Sequence, residues 1–197
     1  MKTLIKVYAV STLFLIAGVS QVSAQSRRSS TTNSNNKTTT VTRTVTTNRI
    51  PSSKVTYKTP QRKVVAVRTL PNRTVVKQNG QDYYYANNKY YTQSRGSYIV
   101  IAPKVGFRIN SLPANYVRVK HNNFNYYNAQ GIFYVQVNNA YEVVDPEMGT
   151  IVYELPIDYE KVVIDGQTYY EYANILYEKV QVNGTRAYEV VGIIDMQ

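Results

Sequence analysis

Gln81 to Lys104 reads QDYYYANNKYYTQSRGSYIVIAPK, and the chain returns to this pattern twice. Its counterparts are Asn123 to Glu147, NFNYYNAQGIFYVQVNNAYEVVDPE, and Gly166 to Val191, GQTYYEYANILYEKVQVNGTRAYEVV. Tyr83-Tyr84 becomes Tyr126-Tyr127 and then Tyr169-Tyr170, and Tyr91 becomes Tyr134 and then Tyr177, each at a step of 43 residues. A Leu-Pro pair precedes each copy, at Leu70-Pro71, Leu112-Pro113 and Leu155-Pro156. A fixed period of this length implies stacked or paired copies of one supersecondary unit.

Working outward from the tyrosines, short alternating apolar runs are punctuated by turn residues, which is a strand signal. Asn79-Gly80, Asn122-Asn123 and Asp165-Gly166 tolerate positive φ at both central positions, as a type I′ hairpin requires. Further turns are expected at Asn87-Asn88, Gln130-Gly131 and Ala173-Asn174, then at Arg95-Gly96, Asn138-Asn139 and Asn183-Gly184. Each copy is thus an antiparallel meander of four short strands, with a fifth strand ahead of each Leu-Pro pair. No window carries an apolar three-four spacing free of Gly, Pro or Asn turns. The expected fold is all-β: three tandem units, about residues 63–106, 107–149 and 150–197, packed as small barrel- or sandwich-like bodies. Val76, Val119, Val162, Val100, Val143 and Val190 are the expected core positions.

Ahead of this region the chain changes character. Lys2 and Lys6 precede an apolar run from Val7 to Gly18 and then Val22-Ser23-Ala24, the pattern of an export signal over 1–24 with the mature chain starting at Gln25. The apolar run is shorter than the ~20 residues a membrane-spanning helix needs, so no transmembrane segment is expected in the mature chain. Residues 25–62 are Ser, Thr, Asn and basic residues with little to bury, which predicts a disordered linker. Within it, TTTVTRTVT at 38–46 alternates β-branched residues that suit a sheet edge. There is no cysteine, so stability outside the cytoplasm must come from packing.

Charge is distributed in blocks. Gln25 to Gln81 holds twelve Lys or Arg and no acid, Asp82 to Tyr141 six basic and one acidic, and Glu142 to Gln197 three basic and eleven acidic residues. A basic arm over 25–77 can therefore touch an anionic surface or the chain's own acidic C-terminal part. No nucleic-acid partner is expected, because the basic residues and the Tyr-rich acidic third copy lie apart and make no basic groove with stacking rings.

Catalytic readings find nothing to build on: one histidine, His121, no cysteine, no Gly-rich phosphate loop and no nucleophile elbow. Glu142, Asp145 and Glu147 lack the spacing of a known cation loop and read as a solvated acidic edge. No enzyme, cofactor or metal is expected. The unusual resource is tyrosine, twenty residues in all. Adjacent rings on a strand point to opposite faces, so one of each pair can be core while the other faces water. The candidate ligand-facing rings are Tyr83, Tyr126, Tyr169, Tyr91, Tyr134 and Tyr177; cross-strand aromatic pairing is the structural use of the same residues.

The unit Leu-Pro, Val, Asn-Gly, Tyr-Tyr-Tyr, Tyr-Tyr, Gly-x-Tyr-Ile-Val-Ile-Ala-Pro-x-Val-Gly resembles a family of exported bacterial proteins of unknown function built on Tyr-rich repeats. The resemblance covers Leu70 to about Tyr177. It departs where the second proline of the family's Pro-Pro, after Pro103 and Pro146, is Lys104 and Glu147, and where the third copy has Val191-Gly192-Ile193 instead of the Pro-x-x-Gly segment at Pro103 to Gly106 and Pro146 to Gly149. It implies a cell-envelope setting and brings no catalytic residues. The expectation is a non-enzymatic exported protein, periplasmic or at the cell surface, acting as a structural or interaction scaffold. The alternative is a glycan- or peptidoglycan-binding module using exposed tyrosines. Partners would be envelope polysaccharide, peptidoglycan or other envelope proteins.

Overall fold

The computed structural model describes residues 48–59 and 65–196; the expected export signal and most of the expected linker lie outside them. Within these residues the protein is all-β, with a single three-residue 3-10 turn at Ser52–Lys54. The strands are β1 (Arg49–Pro51), β2 (Thr56–Tyr57), β3 (Ala66–Val67), β4 (Thr74–Gln78), β5 (Gln81–Ala86), β6 (Lys89–Ser94), β7 (Ser97–Ile101), β8 (Arg108–Ile109), β9 (Val117–His121), β10 (Phe124–Ala129), β11 (Ile132–Val137), β12 (Ala140–Val143), β13 (Ile151–Val152), β14 (Glu160–Ile164), β15 (Gln167–Tyr172), β16 (Ile175–Val182) and β17 (Thr185–Asp195).

They form three sheets, ordered β3-β7-β6-β5-β4, β8-β12-β11-β10-β9 and β1-β17-β16-β15-β14-β2, with β13 also paired to β17. The turn chemistry explains why the strands start and stop where they do. Asn79 and Gly80 have φ of 50° and 77°, and Asp165 and Gly166 have 50° and 82°, the geometry a type I′ hairpin needs. At Asn122-Asn123 the positive φ is at Asn122 alone.

The sheets lie face to face in layers, and alternation along each strand sends neighbouring residues into different layers. From β6, Tyr90 enters the core between the first and second sheets with Phe107, Ile109, Ile132, Tyr134 and Val143. From β11, Phe133 enters the core between the second and third sheets with Tyr126, Val135, Tyr177, Tyr188 and Val190. On the outer side of the first sheet, Tyr91 packs with Leu70, Ala86 and Tyr98, and the Arg73 guanidinium lies over the Tyr84 and Tyr98 rings at 5.7 and 5.4 Å.

The outer side of the third sheet is covered by the segment that precedes the first sheet in sequence. β1 pairs in parallel with β17, Arg49 opposite Ile193, and β2 pairs antiparallel with β14, Tyr57 opposite Val162. A nine-residue strap, 49–57, therefore joins the two edges of one sheet, so neither edge is left open along that stretch. Ile50, Val55 and Tyr57 of the strap pack on Val162, Ile164, Leu176 and Ile194. Gly192 lets the strap lie close: a Cβ there would stand 3.1 Å from the Asn48 carbonyl oxygen and 3.1 Å from Ile50 Cδ1. This corrects the expected disordered linker of 25–62 at its described residues, 48–59. Its last part carries three apolar side chains that find a sheet more than a hundred residues away, which composition alone does not disclose.

Among the expected core valines, Val143, Val162 and Val190 are buried, while Val76, Val100 and Val119 are half-buried and pack against the clusters.

Candidate interaction surface

The six tyrosines expected to face a ligand are not a ladder. Tyr91, Tyr126, Tyr134 and Tyr177 are 5%, 1%, 0% and 0% exposed, and this removes them from any surface role. Tyr83 and Tyr169 are half-buried, Tyr83 edge-on to Phe107 at 5.1 Å and Tyr169 against the strap's cluster. The physical reason is the layering. Adjacent rings do point to opposite faces, but each face is covered, by a second sheet, by the strap or, on the outer side of the first sheet, by Leu70 and Arg73, so the alternation distributes rings between two covered sides rather than between core and water.

The buried phenols differ in how they are satisfied. Tyr134 Oη donates to Tyr90 Oη at 3.0 Å, both buried, and burial pushes the Tyr90 phenol up to about 12. Tyr177 occupies the corresponding position in the third sheet, its phenol also raised by burial, yet its hydroxyl has no partner among the described residues. The two hydroxyl deletions should therefore act in opposite directions. Tyr134→Phe leaves the Tyr90 hydroxyl unpaired and is expected to cost about 1–3 kcal/mol, whereas Tyr177→Phe removes a desolvated group and is expected to raise stability by about 1 kcal/mol. Urea unfolding of the two variants beside the parent checks the sign; a loss in both would show that the Tyr177 hydroxyl is satisfied in solution.

The acidic residues are likewise engaged. Arg49 of the strap bridges Asp145 at 2.7 Å and Asp195 at 2.9 Å, so the arm does meet the acidic C-terminal part. Arg108 pairs with Glu142 at 2.7 Å across β8 and β12. Glu147 is buried, accepts from Asn122 Nδ2 at 3.1 Å and lies 4.0 Å from His121 Nε2. Instead of a solvated edge, these carboxylates staple layers and turns; no cluster of metal-ligating side chains occurs among the described residues.

Glu171 is buried, and desolvation lifts its carboxyl from 4.5 to about 6, against a hydrogen bond accepted from the Asn174 amide at 2.7 Å. Because the folded value is raised, the stability tied to this group is present in full below about 4.5 and is lost as pH rises through about 6. The parent should lose about 2 kcal/mol relative to Glu171→Gln across that window, since one pKa unit is about 1.4 kcal/mol. Melting curves of both proteins from pH 4 to 7 measure the difference; parallel curves would sink the prediction.

The open surface lies elsewhere, in a groove of about 590 Å³ along the outer edge of β9. One wall is Val117–Lys120 of β9; the other is Ile151–Pro156, comprising β13 and the turn to the third sheet. Asn128, Gln130 and Gly131 form one end. Val117 is 62% and Tyr153 55% exposed, and the Arg118 guanidinium lies 5.8 Å from the centre of the Tyr127 ring. In sequence Val119 stands out for the core, Gln130-Gly131 for a turn and Leu155-Pro156 for the repeat, and none of the groove residues for a surface role. The available signal was a comparison across copies: Lys77 and Lys120 stand where the third copy has Val163, and lysine on a strand is a mark of an open edge.

No helix among the described residues is long and apolar enough to cross a membrane. The described residues thus define an all-β protein of layered sheets, antiparallel apart from the β1–β17 pairing and held together by aromatic side chains. The chain belongs to a family of unknown function, DUF6515, which matches residues 56–194 and so begins within the strap. No curated protein and no solved structure matches the chain.

Proposed function

We propose that the protein is an exported, non-catalytic scaffold of the bacterial cell envelope or surface, periplasmic or extracellular, made of three tandem copies of one β unit. The observation that carries the reading is the use made of tyrosine. Rings meet rings within and between sheets, as in Tyr84 edge-on to Tyr98 at 5.0 Å, Tyr90 to Phe107 at 5.5 Å and Tyr170 to Tyr188 at 5.4 Å. Such pairs add about 0.5–1.5 kcal/mol each beyond area burial, which suits a cysteine-free protein that must stay folded outside the cytoplasm.

The alternative, a glycan or peptidoglycan module built on exposed tyrosines, retains only the half-buried Tyr83 and Tyr169 of its six rings. Fractionation of the native cell with N-terminal sequencing tests the address: protein starting at Gln25 outside the cytoplasm supports it, and intact Met1 on cytosolic protein ends it. Sedimentation with insoluble peptidoglycan separates the two readings, since a scaffold without glycan affinity stays in the supernatant.

A further inference from the structure

We infer that the outer edge of β9 is a peptide-binding edge, which takes up an acidic extended segment of another protein as an added strand. This deepens the scaffold reading and rests on it by naming the class of partner.

β9 pairs only with β10 among the described residues, and His121 opposite Phe124 closes their two-residue hairpin. In such a hairpin the closing pair exchanges both hydrogen bonds and alternate pairs do the same, so His121, Val119 and Val117 spend their backbone groups on β10. The amides and carbonyls of Arg118 and Lys120 then point the other way, into the groove.

The third sheet shows this edge in use. Counted 43 residues on, Arg118 and Lys120 correspond to Lys161 and Val163 of β14. There the edge is taken by β2: Val163 stands opposite Thr56, and the Lys58 amide donates to the Lys161 carbonyl at 2.9 Å. The same backbone geometry that holds a strand on β14 is presented on β9 beside about 590 Å³ of open space.

Charge selects the occupant. On β14 the position opposite the bound strand is Val163, half-buried; on β9 it is Lys120, exposed, two residues from exposed Arg118. Neither basic group has an ion-pair partner among the described residues. An incoming strand with carboxylates on that face neutralises both, whereas β9 of a second copy would place like charges together, an arrangement that disfavours self-association. Main-chain hydrogen bonds supply affinity in strand addition and flanking side chains supply choice, here Arg118 and Lys120 against the acids on the β9 side, with Tyr153 and one acid, Glu154, on the opposite wall.

The test uses the full chain and a fluorescent eight-residue peptide alternating glutamate and valine, with lysine-valine and peptidoglycan-fragment arms. The glutamate peptide should bind saturably and the lysine peptide at least about tenfold more weakly, a ratio within reach of two charge-assisted contacts. Lys120→Pro removes one outward amide without touching a bond to β10, and proline is tolerated on the open side of an edge strand; it should weaken binding about tenfold or more, while Lys120→Ala, which keeps the amide, should lose less. If Lys120→Pro does not fold, slowed amide exchange at Arg118 and Lys120 of the parent on peptide addition gives the same answer. No saturable peptide binding, unchanged exchange at both amides, or binding of the peptidoglycan fragment in place of the peptide would overturn the proposal. None of these outcomes bears on whether the chain is exported, which fractionation decides.

Discussion

A chain that begins at Pro60 is expected to be far less stable than one that begins at Asn48, although the twelve residues removed precede every tyrosine pair of the repeating pattern. The loss follows from what the strap covers. Ile50, Val55 and Tyr57 are half-buried against Val162, Ile164, Leu176 and Ile194, all of which are buried in the intact protein. Fully burying a large apolar side chain is worth about 1.5–3 kcal/mol, so three at partial burial contribute roughly 3–5 kcal/mol. The parallel pairing of β1 with β17 and the bond from the Ile193 amide to the Asn48 carbonyl, 2.8 Å, add to this. The exposed Arg49 ion pairs add little by comparison. Denaturant unfolding of the two chains measures the difference, and binding of a hydrophobic dye to the shorter chain reports the uncovered face. A second route avoids truncation. Gly192→Val places a branched side chain where Asn48 and Ile50 already stand at 3.1 Å, and should lift the strap from an otherwise complete chain. If both proteins unfold like the parent, the strap is decoration and the third sheet is stable by itself.

The strap also marks where sequence reading stops. Strands β4 and β5 run from Thr74 to Gln78 and from Gln81 to Ala86, where the turn residues and alternation place them, because hairpin chemistry is local and each Asn-Gly or Asp-Gly writes its own geometry. β1 and β2 are three and two residues long, built from RIP and TY, and no periodicity survives at that length. Their structure comes from partners at the far end of the chain. The tyrosines fail for a related reason. A period of two says that Tyr126 and Tyr127 face opposite ways and says nothing about what covers either side. A water-facing ring in each pair requires one wet face, and both faces of the middle sheet are covered. The groove beside β9 was illegible for the opposite reason: it is made by an absence, an edge left without the strand that its counterpart β14 holds. Only Lys120 in place of Val163 hints at it.

Alanine at Gly131 should be among the most damaging single substitutions in the protein, while alanine at Gly80 should be mild, although both glycines follow a residue of positive φ in a hairpin. Gly80 and Gly131 have φ of 77° and 81°, so the backbone cost of adding a side chain is alike, about 1–2 kcal/mol. Their surroundings differ. Nothing lies within 4 Å of a Cβ built on Gly80, but one built on Gly131 falls 2.5 Å from Tyr172 Cδ1 and 2.6 Å from Pro156 Cγ. Gly131 is where the turn of the second sheet is clasped by the third, from β15 on one side and the Leu155-Pro156 link on the other. Tyr172 cannot step aside freely, since its ring packs against the cores on both sides of the second sheet. Pro156 has a fixed ring. Overpacking of this kind costs about 1–3 kcal/mol on top of the backbone strain, giving roughly 2–5 kcal/mol for Gly131→Ala against about 1–2 for Gly80→Ala. For a domain of this size each kcal/mol lowers the melting temperature by about 2–4 °C, so thermal unfolding resolves the two variants readily. Adding Tyr172→Ala to Gly131→Ala should cost less than the two changes apart, because the clash exists only while the ring is present. Equal effects of Gly80→Ala and Gly131→Ala, or strict additivity in the double variant, would mean that the third sheet does not clasp the second at this turn.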